Sequence, residues 1–322
     1  MLIPALKYWG HRCVHQGDIR LVMTILVRNE SDIIEENIRF HAAQGVDAFV
    51  VMDNHSDDGT REILSELQSD YDLTIIDQTE QNYQQAKWMT ELAFIAANQI
   101  GADLVISNDA DEFWLATPGT QLKDHLCPND SVVTVKRHNM VLTESVLQQN
   151  YHYSQAKFMV KNPIDYADQT QGYEAMSMLL IKISPKTIIN PYGLIRLKGG
   201  NHRAKHGWKW ANARTESGIR VFHYPIRSYE RFEQNIINRK RLLETTNAGM
   251  GPHYRRWVQL YNNGKLEEEF SQFILTPQDL KTTNRLSITA PAEDMHQTLK
   301  HIYSSKNSIS QNSLGTLAVT AR

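Results

Sequence analysis

Asp103-Leu-Val-Ile-Ser-Asn-Asp109-Ala-Asp111-Glu-Phe-Trp114 is the stretch on which the reading of this chain turns. A short apolar run delivers two carboxylates at i and i+2, with a third acid and two aromatics behind. A buried strand carrying Asp-x-Asp to its carboxyl end sets hard oxygen ligands in the crevice where open α/β sheets hold ligands. Mg²⁺ or Mn²⁺ bound there by one or two carboxylates completes its shell with water and substrate phosphate. A solvated surface turn also carries paired aspartates. Here the pair closes the fourth strand of a βα series, and Glu112, Phe113 and Trp114 make a poor solvent turn.

Upstream, residues 21–27 (Leu-Val-Met-Thr-Ile-Leu-Val) form the near-continuous apolar run of a strand buried on both faces. A helix follows with Ile33, Ile34, Ile38 and Ala42 on one side, Ser31 as expected N-cap, Glu35 in the first turn and Gly45 as the C′ stop. Residues 46–52 and 73–76 read as the second and third strands, with a short helix marked by Ile63, Leu64 and Leu67 between them. Trp88, Leu92, Ile95 and Ala96 then lie at i, i+4, i+7 and i+8 on a helix that stops near Gly101. Strand and helix alternate four times with short links, which predicts an α/β fold with a mostly parallel central sheet and helices on both faces.

Beyond residue 115 the pattern loosens. Residues 131–135, 176–183 and 219–224 read as strands. Residues 228–246 read as a helix with an apolar stripe of Phe232, Ile236, Ile237 and Leu243, and a helical pair is expected between Pro252 and Phe273. The expected organisation is an N-terminal extension over 1–19, a βα half over 20–115, a less regular half of the same domain over 116–246, a helical extension over 247–303, and a disordered tail over 304–322 that lacks a periodic apolar face.

The chain has 322 residues, 41% of them hydrophobic and 22% charged, with a formal net charge of −2. That balance gives no global pull toward nucleic acid or an anionic membrane, so any basic site must be local. Cys13 and Cys127 cannot build a disulfide framework and lack metal-ligand spacing, which suits a reducing compartment. The first twenty residues hold no apolar signal region, and no apolar run is long enough to span a bilayer. The expectation is a cytoplasmic protein with peripheral contact at the inner membrane face left open.

Other motifs gather at the same sheet edge. Asp53-Asn54-His-Ser56-Asp-Asp58-Gly59-Thr60 follows the second strand. Gly59 supplies backbone freedom and Asp58 or Thr60 a cap, while Asp53 and Asn54 are placed to hydrogen-bond a base or ribose. Arg28-Asn29-Glu30 ends the first strand, and Lys87 is a further cation that could meet a phosphate. Residues 199–210 mix glycine, His202, His206, other cations and two tryptophans, which suits a diphosphate and a sugar or lipid face. They do not match Gly-x-x-x-x-Gly-Lys-Ser/Thr, so a Walker-type NTPase is disfavoured. His223-Tyr224 closes a strand ahead of a Pro turn into a helix whose N-terminus could face an anion.

Together Arg28-Asn29-Glu30, Asp53-Asn54-x-Ser56-x-Asp58-Gly59-Thr60, Asp109-Ala-Asp111-Glu112-Phe113 and His223-Tyr224-x-x-Arg227-Ser228-x-Glu230-x-Phe232 resemble the glycosyltransferase family 2-like proteins of the GT-A fold, in particular the branch sharing features with the family 92 domain. The likeness covers about residues 20 to 245. It implies a nucleotide-diphosphate sugar as donor, a UDP-sugar favoured, and Mn²⁺ or Mg²⁺ between the Asp-x-Asp pair and the diphosphate. By resemblance Asp109, Asp111 and His223 are the metal set, Asp109 also bears on the ribose, and Asp53 faces the base. Many relatives carry an acid where Asn54 stands, and Asn both donates and accepts, which leaves the base open.

The metal's task in such a reaction is to neutralise charge on the departing diphosphate. The acceptor hydroxyl of a glycan or lipid-linked acceptor then needs a base within hydrogen-bond reach. Inversion is the expectation, with Glu174 as first choice for the base and His202, Asp165 and Asp168 behind it; the residues themselves do not separate inversion from retention. Two further classes compete. A Mg²⁺-dependent phosphotransferase or phosphohydrolase also uses Asp-x-Asp, but after its first strand and with a following Thr. A non-catalytic nucleotide-sugar or glycan-binding module would keep the fold without the reaction. A sugar nucleotidyltransferase would need a glycine-rich first loop that is missing here.

Overall fold

The computed structural model describes residues 10, 18–80, 84–165, 177–199, 201–207, 213–245 and 252–303. The expected tail at 304–322 and most of the N-terminal extension lie outside them, as do Glu174, Asp168, Trp208 and Trp210.

The βα series forms as the apolar periods predict. Strand β1 (Leu21–Val27) leads to helix α1 (Ile34–Ala43), β2 (Ala48–Asp53) to α2 (Thr60–Leu67), and β3 (Leu73–Asp77) to α3 (Gln85–Ile95). A π-helical turn (Ala96–Ile100) extends α3 and ends at Gly101, whose φ of +75° a side chain would strain. Strand β4 (Leu104–Asn108) follows. Along β1, Leu21, Met23, Ile25 and Val27 join one core layer while Val22 joins the other. Both faces are therefore covered, which is why the strand has no polar alternation.

Four more strands extend the same sheet: β5 (Glu112–Ala116), β6 (Val132–Asn139), β7 (Lys186–Ile189) and β8 (Ala213–His223). Their order is β3-β2-β1-β4-β7-β6-β8-β5. The strands β3, β2, β1 and β4 are mutually parallel, β7 is antiparallel to both β4 and β6, and β5 is antiparallel to β8. Because β1 lies between β2 and β4, the connections diverge there and open a crevice beyond the carboxyl ends. Register fixes what meets in it. Val27 pairs with Asp53, Ile25 with Asn108, and His223 with both Glu112 and Asn139.

Helices α4 (Tyr229–Thr245), α5 (Pro252–Asn262) and α6 (Leu266–Ser271) pack around Phe232, Ile236, Val258, Phe270 and Phe273. The helical pair expected between Pro252 and Phe273 is thus α5 and α6.

Two local expectations are corrected. The apolar run at 176–183 is not a strand: Met178–Leu180 is one 3-10 turn, capped by Ser177 Oγ accepting from the Leu179 N–H at 3.3 Å. The run is apolar because it is buried, and the neighbouring strand starts later, at Lys186. Ser31 does not cap α1, whose N-cap is Ile33 without a side-chain bond. Its N–H and hydroxyl instead donate to Asp58 Oδ2 at 3.1 and 2.8 Å, tying the first loop to the second. The C′ role of Gly45, at φ +90°, is as expected.

Candidate active site

The Asp-Ala-Asp turn joins β4 to β5 and is fixed from behind by a buried polar network. Asn37 of α1 donates to the carbonyls of Ala110 and Glu112 at 2.8 and 2.9 Å. Asn108 accepts from Trp114 Nε1 at 2.8 Å. His41 Nδ1 donates to the Asn37 carbonyl at 2.8 Å, while its Nε2 accepts from the Trp114 N–H at 3.0 Å. Burial pushes the His41 ring down to about 3, and both ring nitrogens are committed in the neutral form. The two aspartates therefore stand on a pre-organised platform rather than on a loose loop.

In front of the turn each carboxylate has a cationic or imidazole neighbour. Asp109 Oδ2 lies 2.5 Å from Nζ of the buried Lys186, and its Oδ1 accepts from Asn201 at 2.9 Å and Gln85 at 3.3 Å. Lys186 also reaches Glu112 Oε2 at 2.7 Å and Asn201 Oδ1 at 2.6 Å, and Arg137 holds Glu112 Oε1 at 2.6 Å. Asp111 Oδ2 stands 3.4 Å from His223 Nε2. Burial alone would raise Asp109, but Lys186 keeps it below the ordinary carboxylate range.

A second charge cluster holds the first loop against α4. Arg227 donates to Asp32 at 2.7 and 3.0 Å and to Glu30 at 2.6 Å. Arg231 reaches Asp32 at 2.7 Å and Asp58 at 3.5 Å. Glu30 keeps 23% of its side chain exposed; burial of the rest, offset in part by Arg227 and reinforced by Asp111 and Asp32, pushes its carboxyl up to about 7.

Asp109, Asp111, Arg137, His223, Glu30, Arg227 and Arg231 border a cavity of about 580 Å³. Of the residues expected from sequence, Arg28, Glu30, Asn54, Asp109, Asp111, His202 and His223 line it. The others stand elsewhere. Asn29, at φ +59°, exchanges two side-chain bonds with Asp57 at 2.7 and 2.9 Å. Asp53 accepts from Ser56 Oγ at 2.5 Å, and Asp58 serves Ser31 and Thr60. All three therefore fasten the loops that carry the site. Asn54 faces the cavity while its amide donates to the Gln78 and Glu80 carbonyls at 3.2 and 2.9 Å. Lys87 lies on another groove beside Arg196 and Lys198. Asp165 is exposed and paired with Lys182 at 3.0 Å. His202 Nδ1 donates to the Pro185 carbonyl at 3.2 Å, and burial, with Lys186 and Arg137 nearby, pushes its ring down to about 4.

The chemistry of Asp111 and His223 fits a divalent cation. Asn139 Nδ2 donates to the Leu179 carbonyl at 2.8 Å, so its Oδ1 is the atom that accepts from His223 Nδ1 at 2.7 Å. His223 Nε2 thus presents a lone pair toward Asp111 Oδ2, and two acceptors facing each other call for positive charge between them. Among the described residues no group of three or more His, Cys, Asp or Glu side chains is arranged around one point. The fit is with a cation that takes two protein ligands and completes its shell from water and phosphate.

Lys186, Arg137, Asn139 and Asn201 are the site residues that sequence reading missed. Lys186 leaves one trace, a cation at the head of the apolar run Lys186-Thr-Ile-Ile189, where a buried lysine needs a partner.

A parallel βα series ending in an Asp-x-Asp turn, with the sheet continued by mixed strands behind it, is the GT-A architecture. Residues 24–183 match the model of glycosyl transferase family 2, and the chain belongs to that family. Among solved structures it is similar to S. aureus TarS 1-349 in complex with UDP, at 14% identity over 79% of this chain and 72% of that one, TM-score 0.40. It is also similar to TarS 1-349 in complex with UDP-GlcNAc, at 11% identity over 77% and 72%, TM-score 0.39. Against the S. aureus TarS structure that extends beyond this fragment, the figures are 15% identity, 77% of this chain, 43% of that chain and TM-score 0.39. No curated protein matches the chain.

Proposed function

We propose that the protein transfers a sugar from a nucleotide-diphosphate sugar, a UDP-sugar in the first instance, to the hydroxyl of a glycan or lipid-linked acceptor. The observation that carries this is the convergence of Asp111 Oδ2 and His223 Nε2 at 3.4 Å on the wall of the cavity, with the imidazole tautomer set by Asn139. These two side chains would hold Mn²⁺ or Mg²⁺, which when bound neutralises charge on the departing diphosphate. Asp109, its charge already met by Lys186, is an acceptor for ribose hydroxyls. Arg28, Arg231 and Arg239 line the cavity and offer cationic contacts to phosphate oxygens. Asn54 is a base-reading amide at the end of β2.

The acceptor proton has two candidate destinations. His202 lines the cavity, and its ring is neutral near pH 7, so a lone pair is available there. Glu174 stays a candidate from sequence and lies outside the described residues. With a base on the face opposite the diphosphate the reaction inverts the anomeric carbon.

A thermal-shift screen of nucleotide sugars with and without Mn²⁺ tests the donor class, since a ligand that binds only the native state raises its melting temperature. Donor turnover measured in Asp111→Ala tests the metal role; full activity there would remove Asp111 from it.

A further inference from the structure

The hairpin of Leu194–Lys198 and Arg203–His206 puts alternate side chains on opposite faces. Leu194, Leu197 and Ala204 turn inward onto the core beneath α3, and the Leu197 N–H donates to Thr90 Oγ1 at 2.9 Å. Arg196, Lys198, Arg203 and Lys205 are exposed. The register places Arg196 opposite Lys205 and Lys198 opposite Arg203. Like charges directly opposite one another destabilise a strand pair, and among the described residues none of the four has an acidic partner within 4.0 Å. Lys87 joins Arg196 and Lys198 along an open groove whose one acid is Glu91. On the same stripe of α3 as Lys87 and Glu91, Phe94 is 37% exposed.

We propose that this five-cation face docks the protein on an anionic membrane surface. With a net charge of −2 the chain as a whole is not drawn to such a surface, so the attraction must be local, and this patch supplies it. The face is an exposed ribbon rather than a cleft, which suits a plane of headgroups. An exposed phenylalanine beside the cations suits the boundary between headgroup and acyl chain better than a soluble polyanion. The hairpin also carries Asn201 and His202 from its turn to the catalytic cavity, so docking brings the cavity rim to the bilayer. This docking does not depend on the proposed reaction, and its readout is binding alone.

The test is cosedimentation of the full chain with phosphatidylcholine vesicles, with and without phosphatidylglycerol, across a salt series. Binding is expected only with the anionic lipid and should weaken as salt rises. At about 1 kcal/mol per basic residue near such a surface, Arg196→Gln with Lys205→Gln should weaken partition about 30-fold, and Arg196→Glu with Lys205→Glu further still. The reversal keeps a like-charge pair across the strands, so the hairpin's own balance is little changed, and an unaltered thermal melt confirms folding. Undiminished binding by the reversed variant, equal binding to neutral vesicles, or binding to soluble polyphosphate without binding to vesicles would each overturn the proposal.

Discussion

Lys186 and Asp109 meet at 2.5 Å on the inner side of the Asp-Ala-Asp turn, with the lysine wholly enclosed. The lysine comes from β7 and the aspartate from the end of β4, so the contact spans two neighbouring antiparallel strands. It divides the roles within the motif. Asp109 is neutralised by the protein itself, and Asp111 is left beside an imidazole that presents a lone pair.

Removing that lysine takes a cation from two carboxylates and leaves one of them, Asp109, without any. In Lys186→Met, Glu112 keeps Arg137 but Asp109 keeps only the amides of Asn201 and Gln85. Breaking one partner out of a buried pair typically costs about 3–5 kcal/mol. Urea denaturation should show a loss of that order, and a loss below about 1 kcal/mol would mean that the lysine does not compensate the pair.

Asn139 fixes which nitrogen of His223 faces Asp111. In Asn139→Ala the ring can adopt the other tautomer or rotate, so apparent Mn²⁺ affinity should fall about 10–100-fold, the usual range for groups that orient a metal-binding histidine. Turnover at saturating Mn²⁺ should recover most of the wild-type value. Asp111→Asn should lose activity that no amount of Mn²⁺ restores. A metal titration of both variants separates the two roles.

Arg227 reaches Asp32 with two guanidinium nitrogens and Glu30 with one of them. Lysine cannot reproduce that fork. Arg227→Lys should therefore cost about 2 kcal/mol, within the range for hydrogen bonds to charged groups. It should also raise KM for the donor more than it lowers kcat, because the loop it anchors carries Arg28 to the cavity wall. Equal KM with reduced kcat would place Arg227 in the chemical step instead.

The βα half of the fold was legible because its cues are local: continuous apolar strands, 3.6-residue helical stripes, and glycines at positive φ after α1 and at Gly101. The second half was not, because its strands are specified by distant partners. Lys186 is intelligible as a buried residue only once Asp109, 77 positions away, is beside it. Met178–Leu180 is as apolar as a strand, yet the Ser177 hydroxyl turns it into a helical loop. That the acid pair and His223 meet at one cavity could be read from sequence, since strand ends at the carboxyl edge converge. What Asn29 and Asp58 do could not. Both polar residues suit a ligand equally well, and only the pairing of one loop with the other shows them as fasteners. Ser31 likewise reads as a helix cap until Asp58 is found opposite it.

His41 gives the platform a pH dependence whose sign is fixed. Its folded-state pKa is depressed from 6.5 to about 3, so the unfolded chain binds the extra proton first as pH falls. The stabilisation that the neutral ring supports is fully present above pH 6.5 and drains away toward pH 3. A full unit is worth about 1.4 kcal/mol, and the slope is only half developed at pH 6.5, so between pH 6.5 and 4.5 this one residue should cost about 2 kcal/mol. His41→Gln can still accept from the Trp114 N–H but carries no titrating group. The variant should be less stable than wild type at pH 7.5, and its stability should fall more gently with acid. Denaturant midpoints at pH 7.5, 6 and 4.5 for the two proteins give the difference directly, and parallel curves would show that the ring is not held neutral behind the Asp-Ala-Asp turn.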